Sequence, residues 1–370
     1  MHPQICTLPQ SPGRHGPSQG TVTAIALTAA VGLLAALPPI AQAQAILEDG
    51  TLGAESSVVT RDVLIRGILS DRIDGGARRG SNLFHSFEQF NIDAGRGAYF
   101  ANPAGVEAIF SRVTGGNPSN ILGRLGVLGA ADLYFLNPNG ILFGPASSLD
   151  LQGSFLATTA SAFQFGNAGF FSATAPEAPS SLLTVNPSAL FFNQVAAGAI
   201  VNRSVTPISP GSTSLVGLRV PDGQSLTLLG GDVQVEGGRL SAFGGRIDIG
   251  AVAAGGTVQL NPDGSLVIPD SVARGDVSFT NGAIVDVRLG DKGDINVTAR
   301  NISVLGDSEL LAGIFSTLGT VDSQAGDLRL NATGTVQIAE GSLVRNRVNE
   351  NALGNAGNVE IVANQLEVLD

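Results

Sequence analysis

The sequence predicts an all-β fold, a parallel β-helix, and three observations carry that prediction. The chain contains 49 Gly and 18 Pro, which interrupt every long helical pattern of apolar residues beyond the N-terminal region. It is 43% hydrophobic and only 14% charged, enough apolar material for a core and too much for a disordered chain. Short segments of alternating apolar and polar residues recur along the C-terminal half, as strands with one buried face require.

The first element is predicted to be an export signal. Thr21–Leu37 is an apolar stretch preceded by Arg14, and the small residues that follow it allow cleavage after Ala43 or Ala45. The stretch is shorter than the roughly 20 residues that a membrane-spanning helix needs. Residues 1–43 are therefore interpreted as a signal peptide.

Cys6 is the only cysteine, and it precedes the apolar stretch. The mature chain is therefore expected to contain no disulfide, although exported proteins often use them. Two explanations stay open at this point. Either a large β-core needs no covalent link, or the chain has to cross a second membrane unfolded.

The second element, residues 44–225, is rich in phenylalanine. Fourteen of the 17 Phe residues fall between Phe84 and Phe192. Aromatic side chains bury large areas and can stack along the interior of a coil. This region is predicted to be the well-packed start of a solenoid.

The third element, residues 226–370, contains internal repeats. Similar segments begin at Gly293, Gly326 and Gly357, which are 33 and 31 residues apart, and a second short strand pattern follows each of them. Repeats of this length indicate stacked units that bury their apolar faces against one another. Because the last repeat reaches Asp370 without a polar cap, the repeats are expected to continue beyond this sequence.

The charge of the chain excludes one class of partner. The formal net charge is -11, and Lys292 is the only lysine. Nucleic-acid binding depends on clustered basic residues, so no nucleic-acid partner is predicted.

Five motifs succeed one another between residues 46 and 200: Asn82–Asn91 (NLFHSFEQFN), Arg112–Gly115 (RVTG), Asn117–Gly123 (NPSNILG), Ala131–Ile141 (ADLYFLNPNGI) and Gly153–Thr159 (GSFLATT). In this order they resemble the N-terminal secretion domain of filamentous haemagglutinins, the exported partners of two-partner secretion systems. The later repeats resemble the β-helical continuation of such exoproteins.

The resemblance implies a fold and a partner. The fold is a right-handed parallel β-helix with an N-terminal cap and small extra-helical β-elements. The partner is an outer-membrane β-barrel transporter, whose periplasmic domains recognise the secretion domain. The chain is then expected to be secreted or held at the cell surface, as part of a longer filamentous adhesin that could contact a host cell, a neighbouring cell or a polysaccharide.

The resemblance also selects candidate site residues. The family's second Asn-Pro motif corresponds to Asn137, Pro138, Asn139 and Gly140, and it is intact. These residues also have turn chemistry: Pro presets the first turn position, Asn and Gly tolerate the backbone angles of the next positions, and Asn137 can cap the corner through its side chain. We expect the motif to form a corner between two strands of a coil.

Two further Asn-Pro pairs complete the set. The family's first motif falls at Asn102 and Pro103, where the next two residues depart from the pattern. Asn117 and Pro118 form a secondary turn motif.

No catalytic residue, metal site or cofactor is predicted. His85, the only histidine outside the signal region, is interpreted as a residue on a polar face or in a cap, because sequence supplies no nucleophile and acid to partner it. Aspartates that follow glycine in the repeats, such as Asp294 and Asp327, are interpreted as turn residues that hydrogen-bond their own backbone. Two alternatives to the exoprotein stay open: a β-helical enzyme that acts on polysaccharides, and a carrier of a C-terminal toxin or protease.

Overall fold

The computed structural model describes residues 46–193, 197–209 and 212–370. The predicted signal peptide lies outside the described residues. One 3-10 helix, Gly53–Glu55, occurs within them, and the other regular elements there are strands. None of the described helices has the length and apolar character to cross a membrane.

The strands of the first part of the chain are β1 (Ile46–Glu48), β2 (Ser57–Ile65), β3 (Ile68–Gly75), β4 (Ala77–Arg79), β5 (Asn82–Phe90), β6 (Gly97–Ala101), β7 (Ala108–Val113), β8 (Ser119–Ile121), β9 (Arg124–Leu128), β10 (Asp132–Leu136), β11 (Ile141–Phe143), β12 (Ser148–Asp150), β13 (Phe155–Thr158), β14 (Ala162–Gln164), β15 (Phe170–Ser172), β16 (Ala189–Phe192) and β17 (Ile200–Asn202). Those of the second part are β18 (Leu218–Arg219), β19 (Ser225–Gly230), β20 (Val233–Glu236), β21 (Arg239–Ser241), β22 (Arg246–Ala251), β23 (Gly256–Leu260), β24 (Leu266–Val267), β25 (Val277–Thr280), β26 (Ile284–Asp286), β27 (Asp294–Ala299), β28 (Ile302–Val304), β29 (Glu309–Ile314), β30 (Leu328–Ala332), β31 (Thr335–Ile338), β32 (Leu343–Val348), β33 (Val359–Val362) and β34 (Gln365–Val368).

The strands stack into three faces, and successive coils place parallel strands side by side. Face 1 consists of β5, β7, β10, β13, β19, β22, β27, β30 and β33, and face 2 consists of β8, β11, β17, β20, β25, β28, β31 and β34. Face 3 consists of two sheets, β3-β6-β9-β12 and β18-β21-β26-β29-β32. Pairing within all three faces is parallel and in register, so the predicted parallel β-helix is confirmed.

The N-terminal end of the stack is covered by antiparallel strands. β4 and β1 pair with the two halves of β5, at the edge of face 1, and β2 pairs with β3 at the edge of face 3. An uncovered strand edge would offer free N–H and C=O groups to other chains. These strands are the N-terminal cap that the resemblance implied.

The part of face 1 from β5 to β22 is buried on both sides, whereas the outward residues Arg329 and Asn331 of the later strand β30 are exposed. The inward side chains of the buried part, among them Leu133 and Phe135, belong to the core inside the coils. Its outward side chains, among them Tyr134 and Leu136, pack under an antiparallel sheet outside the coils, β15-β14-β16-β23-β24, which we call the outer sheet. A strand buried on both sides has no need of polar residues at alternate positions, which explains the continuous apolar run around the Asn-Pro motif.

The aspartates at the Gly-Asp corners connect neighbouring coils. Asp294 Oδ1 accepts a hydrogen bond from the Asp327 backbone N–H at 2.8 Å, and Asp327 Oδ1 accepts one from the Asn358 N–H at 2.8 Å. The expectation that these side chains bond their own backbone is therefore wrong for both residues. Stacking brings the next coil's N–H within reach, and each carboxylate satisfies that donor.

Candidate functional site

Asn137–Gly140 forms the corner between β10 on face 1 and β11 on face 2, as the sequence predicts. The Gly140 N–H donates to the Asn137 carbonyl at 3.2 Å, which closes the turn. Gly140 has φ of 120°, a backbone conformation that residues with a Cβ rarely adopt. The turn hydrogen bond and the glycine at position 140 therefore both fix the shape of the corner.

The Asn137 side chain is completely buried and uses both ends of its amide. Its Oδ1 accepts the Asn139 N–H at 3.0 Å, which caps the turn from within, as expected. Its Nδ2 donates to the Asn117 carbonyl at 3.0 Å and to Ser119 Oγ at 2.9 Å, in the preceding coil. One side chain thus fixes its own corner and ties it to the corner beneath.

The structure stacks the secondary motif, Asn117 and Pro118, directly under Asn137–Gly140, because both pairs occupy the connection from face 1 to face 2. On the other side lie Gly198 and Ala199. The Gly198 N–H donates to the Pro138 carbonyl at 2.9 Å, and the Ile141 N–H donates to the Ala199 carbonyl at 3.0 Å. Of the four motif residues only Asn139 is exposed; the other three are buried.

Asn102 and Pro103 lie at a different corner, between β6 on face 3 and β7 on face 1. Asn102 Nδ2 donates to the Val106 carbonyl at 3.2 Å, and Pro103 is exposed. The Asn102 Oδ1 is buried and has no hydrogen-bond partner among the described residues. This pair resembles the intact motif in sequence, but the fold does not bring it to the same corner.

Comparison with known proteins decides the family. The family model described as the TPS secretion domain matches residues 44–297, more than half of the chain. The chain belongs to the TPS secretion domain family. It is the exported component of a two-partner secretion system, and an outer-membrane transporter secretes it. The match extends beyond the boundary predicted near residue 225, which stays a prediction.

Two solved structures are similar to this TPS domain. The filamentous hemagglutinin secretion domain is 16% identical with a TM-score of 0.40, and the alignment covers 88% of this chain and 100% of that one. The HMW1 secretion domain from Haemophilus influenzae is 17% identical with a TM-score of 0.44, and the alignment covers 85% of this chain and 99% of that one. No curated protein matches.

The TPS domain contains a buried polar network that sequence reasoning missed. Arg112 lies on the outward side of β7, fully buried beneath the outer sheet. Its guanidinium donates to Ser86 Oγ at 2.8 Å and to Thr51 Oγ1 at 2.7 Å. It also donates to the carbonyls of Ser172 and Glu177, both at 2.9 Å. The only signal in the sequence was the position of Arg112 in the RVTG motif.

Asp49 supplies the negative charge of this network. Ser86 Oγ donates to its carboxylate at 2.6 Å and Thr114 Oγ1 does so at 2.7 Å. Burial alone would raise the pKa of Asp49, but these hydrogen bonds and those from Thr51 outweigh it and lower that pKa. Burial lowers the pKa of Arg112 to about 10, so both groups are charged at neutral pH.

His85 lies inside the coils, and its interpretation as a polar-face or capping residue is wrong. The residue follows Leu83 on the inward side of β5, fully buried, with its ring 5.2 Å from that of Phe100. Its Nδ1 lies 3.0 Å from Ser57 Oγ, and its Nε2 has no partner among the described residues. The alternation of side chains along β5 places this residue inside, whereas the sequence-based interpretation assumed that a polar residue lies outside.

Acid is expected to destabilise the TPS domain through His85. Burial lowers its pKa to about 3, whereas an unfolded histidine has a pKa of about 6.5. The unfolded chain therefore binds the proton first, and stability present above pH 6.5 is lost as the pH falls toward 3. Urea unfolding should show a loss of about 2 kcal/mol between pH 7.5 and 5. The His85→Leu variant should lack this loss, and an equal loss in both proteins would contradict the assignment.

Within the described residues, no three His, Cys, Asp or Glu side chains are grouped so that they could hold a metal ion.

Proposed function

We propose that the transporter recognises Asn137–Gly140 through its periplasmic domains, and that it does so before this corner folds. The observation that carries the proposal is burial: Asn137, Pro138 and Gly140 are buried in the folded domain, and Asn139 alone is exposed. A partner that binds the folded domain would reach little of the motif. In an unfolded exported chain, all four residues are available.

The hydrogen bonds of the corner support this order of events. The bond from the Asn139 N–H to Asn137 Oδ1 spans two residues, so it can form in an otherwise unfolded chain. The bonds to Asn117 and Ala199 need neighbouring coils. The unfolded chain can therefore present a local turn, and folding outside the cell buries that turn between coils.

The Asn137→Ala variant tests this proposal against a matched control. Asn202 is also fully buried; its Oδ1 accepts the Ser204 N–H at 3.1 Å and its Nδ2 donates to the Arg239 carbonyl at 3.2 Å. Asn202→Ala therefore removes the same kind of cap outside the motif. Each substitution is expected to cost about 2 kcal/mol of unfolding free energy, because it removes buried hydrogen bonds.

Export should separate the two variants. The amount of protein in the medium of cells with the transporter should fall roughly tenfold further for Asn137→Ala than for Asn202→Ala, since a recognition loss of about 1.4 kcal/mol is a tenfold effect. Refolding of the two purified proteins from urea should be equally affected. Equal export of the two variants would show that the motif acts only as a turn.

We further propose that the exoprotein acts as an adhesin at the cell surface, with a host cell, a neighbouring cell or a polysaccharide as its target. The support is architectural: a stack of coils offers long, continuous faces, which repeat proteins use for binding. The family points to a secreted exoprotein rather than to an enzyme. Binding of the full-length protein to whole cells and to immobilised polysaccharides is the measurement that tests this role.

A further inference from the structure

Face 3 carries a pocket that secretion leaves without a role. Its volume is about 510 Å³, within the range of roughly 300–1,000 Å³ typical of small-molecule sites. It lies between the outward side of β21 and β26 and the chain segment that precedes β18. Its lining includes Ile208, Leu215, Arg239, Phe243, Leu289 and Phe315.

The apolar part of the pocket is exposed and held in place. Phe315 is 46% exposed, Ile208 is 45% exposed and Leu215 is 40% exposed, so three large apolar residues meet at one opening. The Arg288 guanidinium lies 5.2 Å from the centre of the Phe315 ring, and that of Arg219 lies 5.3 Å from the Phe243 ring. These cation–π contacts orient both rings. Clustered exposed apolar residues of this kind mark binding sites.

Among the charged side chains around the pocket, one arginine has no ion-pair partner that the structure describes. Arg288 donates to both carboxylate oxygens of Asp286, at 2.9 and 2.7 Å, so these two charges neutralise each other. The neighbouring Arg219 and Arg345 are paired as well, with Asp222 and Glu309. Arg239 lines the pocket, yet its guanidinium has no ion pair or side-chain hydrogen bond with any residue that the structure describes.

We propose that this pocket binds a small carboxylate that carries an aromatic or branched aliphatic group. The two phenylalanines and the leucines would take the apolar group, and Arg239 would hold the carboxylate. An Arg guanidinium matches the geometry of a carboxylate and can bind both of its oxygens. A cationic ligand is disfavoured because Asp286, the only carboxylate among the described lining residues, is already neutralised by Arg288.

The proposal is independent of the secretion role, and its test uses a probe and a neutral analogue. The exported chain is labelled at its Ile, Leu and Val methyl groups and titrated with 4-phenylbutyrate or with 4-phenylbutanamide. The acid should shift the methyl resonances of Ile208, Leu215 and Leu289, and it should bind about tenfold or more tightly than the amide, since a charge-assisted hydrogen bond contributes an effect of this size. Equal binding of the two probes, or shifts elsewhere only, would overturn the proposal.

Two variants and a control assign the roles. Arg239→Gln should weaken acid binding about tenfold and leave amide binding unchanged, because the variant removes the guanidinium charge and the amide probe has no charge to pair with it. Phe315→Leu should weaken both probes. Arg203→Gln, which breaks an exposed pair with Glu236 outside the pocket, should change neither. If Arg239→Gln binds the acid as wild type does, the proposal is wrong.

A last binding measurement distinguishes a free acid from an acidic peptide as the ligand. The peptide acetyl-Phe-Leu-Asp-amide offers the same chemistry on a chain. Binding of the free acid at least as tightly as this peptide supports the small-molecule site. Binding of the peptide alone would overturn it.

Discussion

Replacing Arg112 with methionine is expected to lower the free energy of unfolding of the TPS domain by about 3–5 kcal/mol, the usual loss when one member of a buried charged network is removed. Methionine fills much of the space but donates no hydrogen bond. The carbonyls of Ser172 and Glu177 would each lose a donor, and the Asp49 carboxylate would lose its electrostatic interaction with the Arg112 guanidinium. Urea unfolding at pH 7 measures the effect.

The control for this prediction is Arg72→Met. Arg72 forms an ion pair with Asp74 at 2.9 Å, but both side chains are well exposed, and exposed pairs contribute at most about 1 kcal/mol.

Arg112 also joins Thr51, which follows β1, to the segment after β15. Arg112→Met should therefore speed hydrogen exchange in residues 46–52 before other regions. Equal losses in the two variants would show that the network contributes little.

The strands of the C-terminal coils were predictable from the sequence because equivalent positions in successive coils have the same burial. Ile295 and Leu328 occupy equivalent inward positions in neighbouring strands of face 1, so the pattern of one coil recurs in the next. In the phenylalanine-rich part, residues such as Tyr134 and Leu136 are apolar because the outer sheet covers them. The sequence shows that both sides are apolar, but not what covers the second side. β14 and β23, which supply that cover, lie almost 100 residues apart in the chain.

For the candidate site too, the sequence predicts the local structure but not the contacts between coils. The turn at Asn137–Gly140 follows from local chemistry, and the sequence predicts it. The burial of this turn cannot be predicted in the same way. It depends on the stacking of neighbouring coils, which places Asn117 on one side of the turn and Gly198 on the other. The interpretation of His85 was wrong for the same reason: β5 pairs with β7 in a long-range contact, and with β5 fixed there, alternation places His85 on its inward side.

The second large loss of unfolding free energy is expected where face 1 packs against the outer sheet. Phe110 is fully buried on the outward side of face 1, stacked on Phe84 at 5.1 Å and on Tyr134 at 4.6 Å. The rings of Phe163 and Phe165 meet it edge-on at 5.5 and 5.2 Å. Phe110→Ala is expected to cost about 3–5 kcal/mol, because it leaves a cavity between two layers that cannot close without moving whole strands.

Phe170→Ala is the matched control, since Phe170 belongs to the outer sheet but is 52% exposed and contacts one aromatic ring among the described residues, that of Phe191. Its loss should stay below about 1 kcal/mol, the size of one aromatic contact with little burial. If the outer sheet holds face 1 by packing, Phe110→Ala should also speed limited proteolysis of the already exposed segment 174–181, while the coils beyond residue 277 resist it. Similar losses in the two variants would contradict this, and would mean that the coils carry the stability of the domain without their outer layer.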